Sequence, residues 1–215
     1  MPKPVKRDSP SDHGGRGQAR TRLARRAVTD AARTLFLERG YAATTMEAIS
    51  EHADVPSATV YRLFSSKLGI LRALLDASIA GDEQPLAVQE RPDVASPISE
   101  PDPHKLLAGL AGVTTGINQR TNDVYRVLVS AGGSDPAAAD LLNEIRQQRD
   151  RGQGRIARAL SRAHALKPWL RERDAADLIH ALMSPEVYRL LVGDRGWTPE
   201  RYQQWLATTL TQQLT

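Results

Sequence analysis

The sequence predicts an all-α protein, with an N-terminal three-helix helix-turn-helix domain followed by a C-terminal antiparallel helical bundle, about nine helices in all. Three observations carry this. Apolar residues recur every three or four positions in almost every segment. Helix-start chemistry, a hydroxyl or carboxylate residue ahead of Pro or Glu, precedes many of these segments. Two of the segments are very short and are joined by only three or four residues.

The first helix is expected from about Arg20 to Arg39, where Ala24, Val28, Ala31 and Leu35 share one face and Gly40 supplies the stop. Thr44-Thr-Met-Glu47 fits a capping box, so a second helix starts there, continues its buried face through Ile49 and Ala53, and ends at Asp54 to Pro56. Ser57 is the expected cap of a third helix, in which Val60 and Phe64 lie four apart. Ser65-Ser66 precedes a fourth, which runs through Leu71, Leu74, Leu75 and Ile79.

Residues 81–103 hold five prolines with scattered acids and read as a long flexible loop. Helical segments follow near 104–118, 122–131, 136–164, 172–192 and 199–213. Asp135-Pro136 and Thr198-Pro199 open two of them. Gly152 and Gly154 are expected to weaken or bend the third, and Pro185 to kink the fourth. The domains drawn from this are a flexible basic tail (1–20), a helix-turn-helix domain (21–66) and a ligand-binding and dimerisation domain (67–215).

Charge is unevenly spread. Residues 1–75 hold 13 Lys/Arg against 7 Asp/Glu, and the remainder 16 against 18, so the basic charge is N-terminal. An anionic partner for that part is implied. With no cysteine, thiolate chemistry is excluded and an intracellular, cytoplasmic location is expected. No run of about 18 apolar residues occurs, so no membrane partner is expected. The histidines at 13, 52, 104, 164 and 180 show no metal-ligand spacing, and no nucleophile motif is present. No catalytic residue, metal or cofactor is therefore expected.

The outward side of the third helix offers Ser57, Ala58, Thr59, Tyr61 and Arg62 and no acid. Hydroxyls and first-turn amides bond phosphate oxygens, and a guanidinium reaches either a guanine edge or a phosphate. Residues 25–75 resemble the DNA-binding domain of TetR-family transcriptional regulators, above all in Tyr41-Ala-Ala-Thr-Thr-Met-Glu-Ala-Ile49, Val55-Pro-Ser-Ala-Thr-Val-Tyr-Arg-Leu-Phe64 and Lys67. The resemblance implies that Thr45 touches phosphate and that Ser57, Ala58, Thr59, Tyr61 and Arg62 face the major groove of a double-stranded operator. It also implies that Lys67 clamps the DNA backbone. Three positions depart from the family pattern: Leu63 where His or Tyr is frequent, Asp54 where Gly is frequent, and Ser65 where a basic residue is frequent.

A second, C-terminal resemblance lies in Ser184-Pro-Glu-Val-Tyr-Arg-Leu-Leu-Val192 and Trp197-Thr-Pro-Glu200. It implies a homodimer built from the last two helices, with Leu182, Val187, Leu190, Trp205, Leu206 and Leu210 at the interface. The family also implies a small-molecule effector in the bundle, for which Tyr125, Trp169, His180, Met183 and Tyr188 are the candidate lining. The function expected is a homodimeric repressor of a palindromic operator, released by a ligand. The alternatives are an all-helical small-molecule carrier or enzyme on a helix-turn-helix scaffold, and an architectural protein binding DNA without sequence choice.

Overall fold

The computed structural model describes residues 13–80 and 100–215. The described chain is helical with no strand. The elements are α1 (His13–Ala43), α2 (Met46–Ala53), α3 (Ser57–Phe64), α4 (Lys67–Ala80), α5 (Pro103–Gly132), α6 (Pro136–Arg162), α7 (Glu172–Leu182), α8 (Pro185–Tyr188) and α9 (Pro199–Leu214). A π-helical stretch, Arg189–Asp194, continues α8. Residues 1–12 of the expected tail and 81–99 of the expected loop lie outside the described residues.

Helix α1 reaches back to His13, so part of the segment expected as tail is helical. Its stop is where the sequence puts it: Gly40 adopts φ 78°, a conformation that costs glycine little, and the helical path breaks there. Val28, Ala31, Ala32, Leu35 and Phe36 form its buried stripe.

The capping of α2 is shifted by one residue from the expected box. Thr45, not Thr44, is the N-cap, and its hydroxyl accepts from Ala48 N–H at 3.1 Å. Thr44 is buried instead, and its hydroxyl donates to the Gly40 and Leu35 carbonyls. A hydroxyl beside a broken helix end finds orphan carbonyls as readily as orphan amides.

Helix α5 runs through the middle of the molecule, against α1, α4, α6, α8 and α9. The sequence suggests two segments with a gap near residue 120, but one unbroken helix forms. No Gly or Pro lies between Ile117 and Tyr125, and Thr121 satisfies its hydroxyl on the Ile117 carbonyl, so nothing breaks the ladder there. The glycine pair in α6 does not interrupt that helix either. At Pro185 the effect is larger than a kink. Helix α7 ends at Leu182, and Ser184 caps a new helix by accepting from Val187 N–H, with Pro185 in the first turn where its missing N–H costs nothing.

Two cores result. One joins α1–α4 to the second half of α5 and the start of α6, through Phe36, Ile49, Val60, Leu71, Leu128 and Leu141. The other lies among the first half of α5, the end of α6 and α7–α9, through Leu107, Leu160, Ile179, Tyr202 and Leu206. The first core crosses residue 66/67, so α4 is packed into both the helix-turn-helix unit and the bundle.

Polar ties reinforce this junction. Arg72 of α4 holds Glu144 of α6 through both terminal guanidinium nitrogens. Arg120 of α5 donates to the Ser78 and Ile79 carbonyls at the end of α4. The Tyr41 hydroxyl donates to Asp135 at 3.4 Å, and burial with that carboxylate pushes the phenol up to about 12. A phenol whose proton is held more tightly in the folded state stabilises fully below its ordinary value of 10.0, and that contribution is lost as pH rises toward 12. Melting temperature is therefore expected to fall over this range less steeply in Tyr41→Phe than in the unaltered protein, as followed by circular dichroism.

Candidate nucleic-acid interface

Helices α2 and α3 form the two arms of a helix-turn-helix, and the turn between them is set by local chemistry. Asp54 takes φ 51°, ψ 41°, the left-handed conformation that Asp tolerates better than most residues, and its N–H returns to the Ser50 and Glu51 carbonyls. Ser50, buried, donates to the Val55 carbonyl at 2.6 Å and accepts from the Ser57 hydroxyl at 2.9 Å. Ser57 is therefore not the cap of α3. Pro56 occupies that position and makes no side-chain cap, while the Ser57 hydroxyl locks α3 to α2.

The inner side of α3 is Val60 and Phe64, both buried. Arg25 of α1 holds its far end. The guanidinium donates to the Leu63 carbonyl at 3.0 Å and lies 4.6 Å from the centre of the Phe64 ring. Sequence reasoning missed this residue, although an arginine 38 positions from its partner leaves no short-range signal.

The outer side carries the residues expected there. Ser57, Ala58, Tyr61 and Arg62 are exposed and Thr59 is half-buried; Thr45 is exposed at the start of α2. Among the described residues nothing covers Arg62. Helix α3 itself carries no acid, as expected, but Glu47 of the neighbouring α2 reaches it and accepts from the Tyr61 hydroxyl at 3.1 Å. The exposed Glu47 carboxyl is held below its usual value, first by its own backbone N–H and then by Tyr61, and the same contact raises the phenol. The Tyr61 proton thus points at Glu47, and a phosphate would have to displace that bond to take it.

Lys67 is placed differently from the free clamp that the resemblance implies. Its ammonium donates to the Tyr41 carbonyl at 2.6 Å and the Thr44 carbonyl at 2.8 Å, and sits 4.2 Å from the Tyr41 ring centre. Burial lowers its affinity for the proton and Asp135 partly restores it. This cation caps the broken end of α1, a place whose carbonyls have no helical partner. Lys67→Met is accordingly expected to cost about 1–3 kcal/mol of stability, because the Thr44 carbonyl loses its donor and the Tyr41 carbonyl keeps only the Thr44 N–H at 3.3 Å. Urea titration measures this, with a midpoint equal to the unaltered protein as the contrary result.

In the bundle, the candidate ligand residues are not all inside. Tyr125 and Tyr188 are buried, and His180 and Met183 half-buried. Trp169 is 75 % exposed and lines nothing; it follows Pro168 in the loop between α6 and α7, with Lys167 stacked on it. The candidate interface residues divide likewise. Leu206 and Leu210 are fully buried in this chain's own core, where helix α9 packs on α5, so they are not available to a second copy. Leu182, Val187 and Trp205 are half-buried against that core, and Leu190 is 48 % exposed. A stripe at helical spacing does not tell which of its residues face inward.

Among the described residues no group of three or more His, Asp or Glu is arranged to hold a metal, and no helix is long and apolar enough to cross a membrane.

Comparison with known proteins agrees with this geometry. Residues 28–74 match the family of bacterial regulatory proteins, tetR family. An uncharacterized HTH-type transcriptional regulator of Bacillus subtilis (strain 168), YdeS, is 29 % identical over 180 residues, covering 82 % of this chain and 83 % of YdeS. Among solved structures, the fold is similar to NalD of Pseudomonas aeruginosa, described as the secondary repressor of the MexAB-OprM multidrug efflux pump. The TM-score is 0.68 at 19 % identity, over 91 % of this chain and 97 % of NalD. It is also similar to SmeT, solved in complex with triclosan, with a TM-score of 0.62 at 17 % identity over 87 % and 89 % of the two chains. The matched segment begins at Val28 of α1, ends at Leu74 of α4 and contains the whole helix-turn-helix, so this part of the chain is a helix-turn-helix of the kind found in bacterial regulatory proteins of the tetR family.

Proposed function

We propose that the protein is a homodimeric repressor that binds a palindromic operator through α3 and is released by a small ligand held in the C-terminal bundle. The observation that carries the reading is the outer side of α3. Ser57, Ala58, Thr59, Tyr61 and Arg62 stand outward on a short helix that Arg25, Ser50 and the Val60–Phe64 stripe hold from behind. In this reading these five side chains enter the major groove, Arg62 reads a base edge or grips a phosphate, and Thr45 contacts phosphate from the start of α2. Lys67 acts by fixing the end of α1 against α4. Residues 21–66 are the DNA-binding domain and 67–215 the regulatory one.

A single recognition helix covers too few base pairs to select a site, whereas two related by a two-fold axis enter successive grooves about 34–36 Å apart. The exposed Leu190 with half-buried Leu182, Val187 and Trp205 supports a self-complementary surface on the last helices. The naming of NalD as a repressor and of SmeT as a triclosan complex supports repression and a small-molecule effector in proteins of this fold. Tyr125, His180, Met183 and Tyr188 are the part of the expected lining that remains. The reading has no catalytic step and needs no cofactor, and the protein acts in the cytoplasm, where the operator is.

Relief of repression follows from how α4 is held. It touches the recognition unit at one end and α5 and α6 along its length, so a ligand that shifts α5 or α6 moves the two DNA-binding units relative to each other. By linkage, a ligand that weakens operator binding must itself bind more weakly to the operator-bound protein.

The test is selection of bound duplexes from a random pool, with salt titration and the mass of the complex measured together. The expected result is an inverted repeat bound by two chains, with log affinity falling linearly in log salt. Recovery of unrelated sequences, or of a single half-site bound by one chain, contradicts the reading.

A further inference from the structure

The bundle interior contains a polar seam. On α5, Thr114, Asn118, Thr121 and Tyr125 recur at spacings of four, three and four, so they share one face, and none is more than 6 % exposed. Other buried polar residues, such as Ser50 and Ser78, stand singly on their helices, whereas these four follow one another along one face. From α6, Arg149 comes near enough to both Tyr125 and Tyr202 for its charge to bear on each phenol, and the Asn118 amide lies close to the Tyr202 hydroxyl without meeting hydrogen-bond geometry.

Most polar groups here are used internally. The Thr121 hydroxyl donates to the Ile117 carbonyl, Tyr125 to Glu186 at 3.3 Å, and Tyr202 to the Leu182 carbonyl at 3.4 Å; His180 Nδ1 sits 2.8 Å from Gln153 Oε1. Two donors are not. Asn118 Nδ2 and Arg149 Nη2 are both shut off from solvent and have no hydrogen-bond partner. Asn118 is itself only 3 % exposed. Buried donors without acceptors weaken a fold, and a charged one does so more than a neutral one, so two around one phenol mark a place where an acceptor is missing. Gly152, three residues on from Arg149 and next to Gln153, is half-buried, and a Cβ added there would meet nothing within 4 Å.

We propose that the effector is a small organic carboxylate, with Asn118 Nδ2 and Arg149 Nη2 donating to its oxygens and its apolar body lying against Tyr125, Met183 and Tyr188. This rests on the reading of the protein as a ligand-released DNA-binding regulator. One amide and one guanidinium supply the two unpaired donors, and Arg146, which also bears on Tyr125, adds to the positive surroundings that suit a planar monoanion with two oxygens. A phosphate would bring further oxygens and charge close to Glu186, and an ammonium would find donors where it needs acceptors.

The experiment uses the full chain, a duplex selected as above, and two probes, benzoate and decanoate, each beside its methyl ester. At least one acid is expected to raise the melting temperature and weaken duplex binding tenfold or more, with the matching ester inactive. Asn118→Leu and Arg149→Met should each remove that response while leaving ligand-free duplex binding within about threefold. If either variant fails to fold, the acid and ester comparison on the unaltered protein decides. Neither acid acting, an ester acting as well as its acid, or a folded variant responding like the unaltered protein overturns the proposal. Absence of selective duplex binding by the ligand-free protein overturns instead the reading of function on which it rests.

Discussion

Replacing Gly69 with alanine is expected to lower the melting temperature and abolish selective DNA binding in one step. Gly69 lies in the first turn of α4, directly after the sharp connection in which Ser65 adopts φ 63°. A Cβ at this position would overlap the Phe64 carbonyl oxygen. That atom belongs to the backbone at the end of α3 and cannot rotate away, so either α3 or α4 must move. Overpacking against side chains typically costs about 1–3 kcal/mol, and a backbone obstacle places this case at the upper end. The displaced element would be the recognition helix itself. Selective binding should therefore fall by more than the stability loss accounts for, a difference seen by comparing gel shifts well below the melting temperature. Unchanged melting and unchanged selectivity would mean that α3 and α4 meet in some other way.

Leu206→Ala is the second large effect, and it separates an inward from an outward reading of α9. Leu206 is fully buried among α5, α7 and α9. Removing its side chain in place should cost about 2–5 kcal/mol, because the transfer and cavity contributions add. For a chain of this size each kcal/mol corresponds to about 2–4 °C, so a fall of about 4–20 °C is expected by calorimetry. Self-association, measured at a temperature where the variant remains folded, should change little. The exposed Leu190 gives the opposite pattern: Leu190→Glu should weaken pairing and leave the melting of the separated chain unaltered. A Leu206 variant that melts normally but no longer pairs would restore that residue to the interface.

Much of the N-terminal architecture is legible in the sequence because it is made by local rules. The stop at Gly40, the left-handed Asp54 and the Val60–Phe64 stripe each depend on residues within a few positions of one another. Errors there are of one residue, as with Thr45 and Pro56 taking the cap positions expected for Thr44 and Ser57. The connections that fix α3 in space are of another kind. Arg25 to the Leu63 carbonyl and Lys67 to the Tyr41 and Thr44 carbonyls join distant positions, and a lysine tied to carbonyls looks in a sequence just like one free to meet phosphate.

The C-terminal half is less readable for a related reason. Its helices are long, and each apolar stripe meets several neighbours, so periodicity identifies a buried face without identifying what buries it. This is why Leu206 and Leu210 look like interface residues in the sequence, and why the exposed Trp169 looks like pocket lining. The buried seam is legible only in part. Thr114, Asn118 and Thr121 lie on one face with Tyr125 by spacing alone, yet the burial of Asn118 and the lack of a partner for Asn118 Nδ2 and Arg149 Nη2 follow only from the folded chain.

Whether the outward side of α3 reads base pairs is decided by comparing the sites selected by the unaltered protein with those selected by Arg62→Ala. The variant is expected to select the same overall site but to discriminate less at one or two base pairs in each half, by about 1–3 kcal/mol for each base edge no longer bonded. If Arg62 grips phosphate instead, affinity falls equally for all duplexes and the salt dependence becomes shallower. A variant whose affinity, site and salt dependence all match those of the unaltered protein would contradict a role for this face in binding DNA.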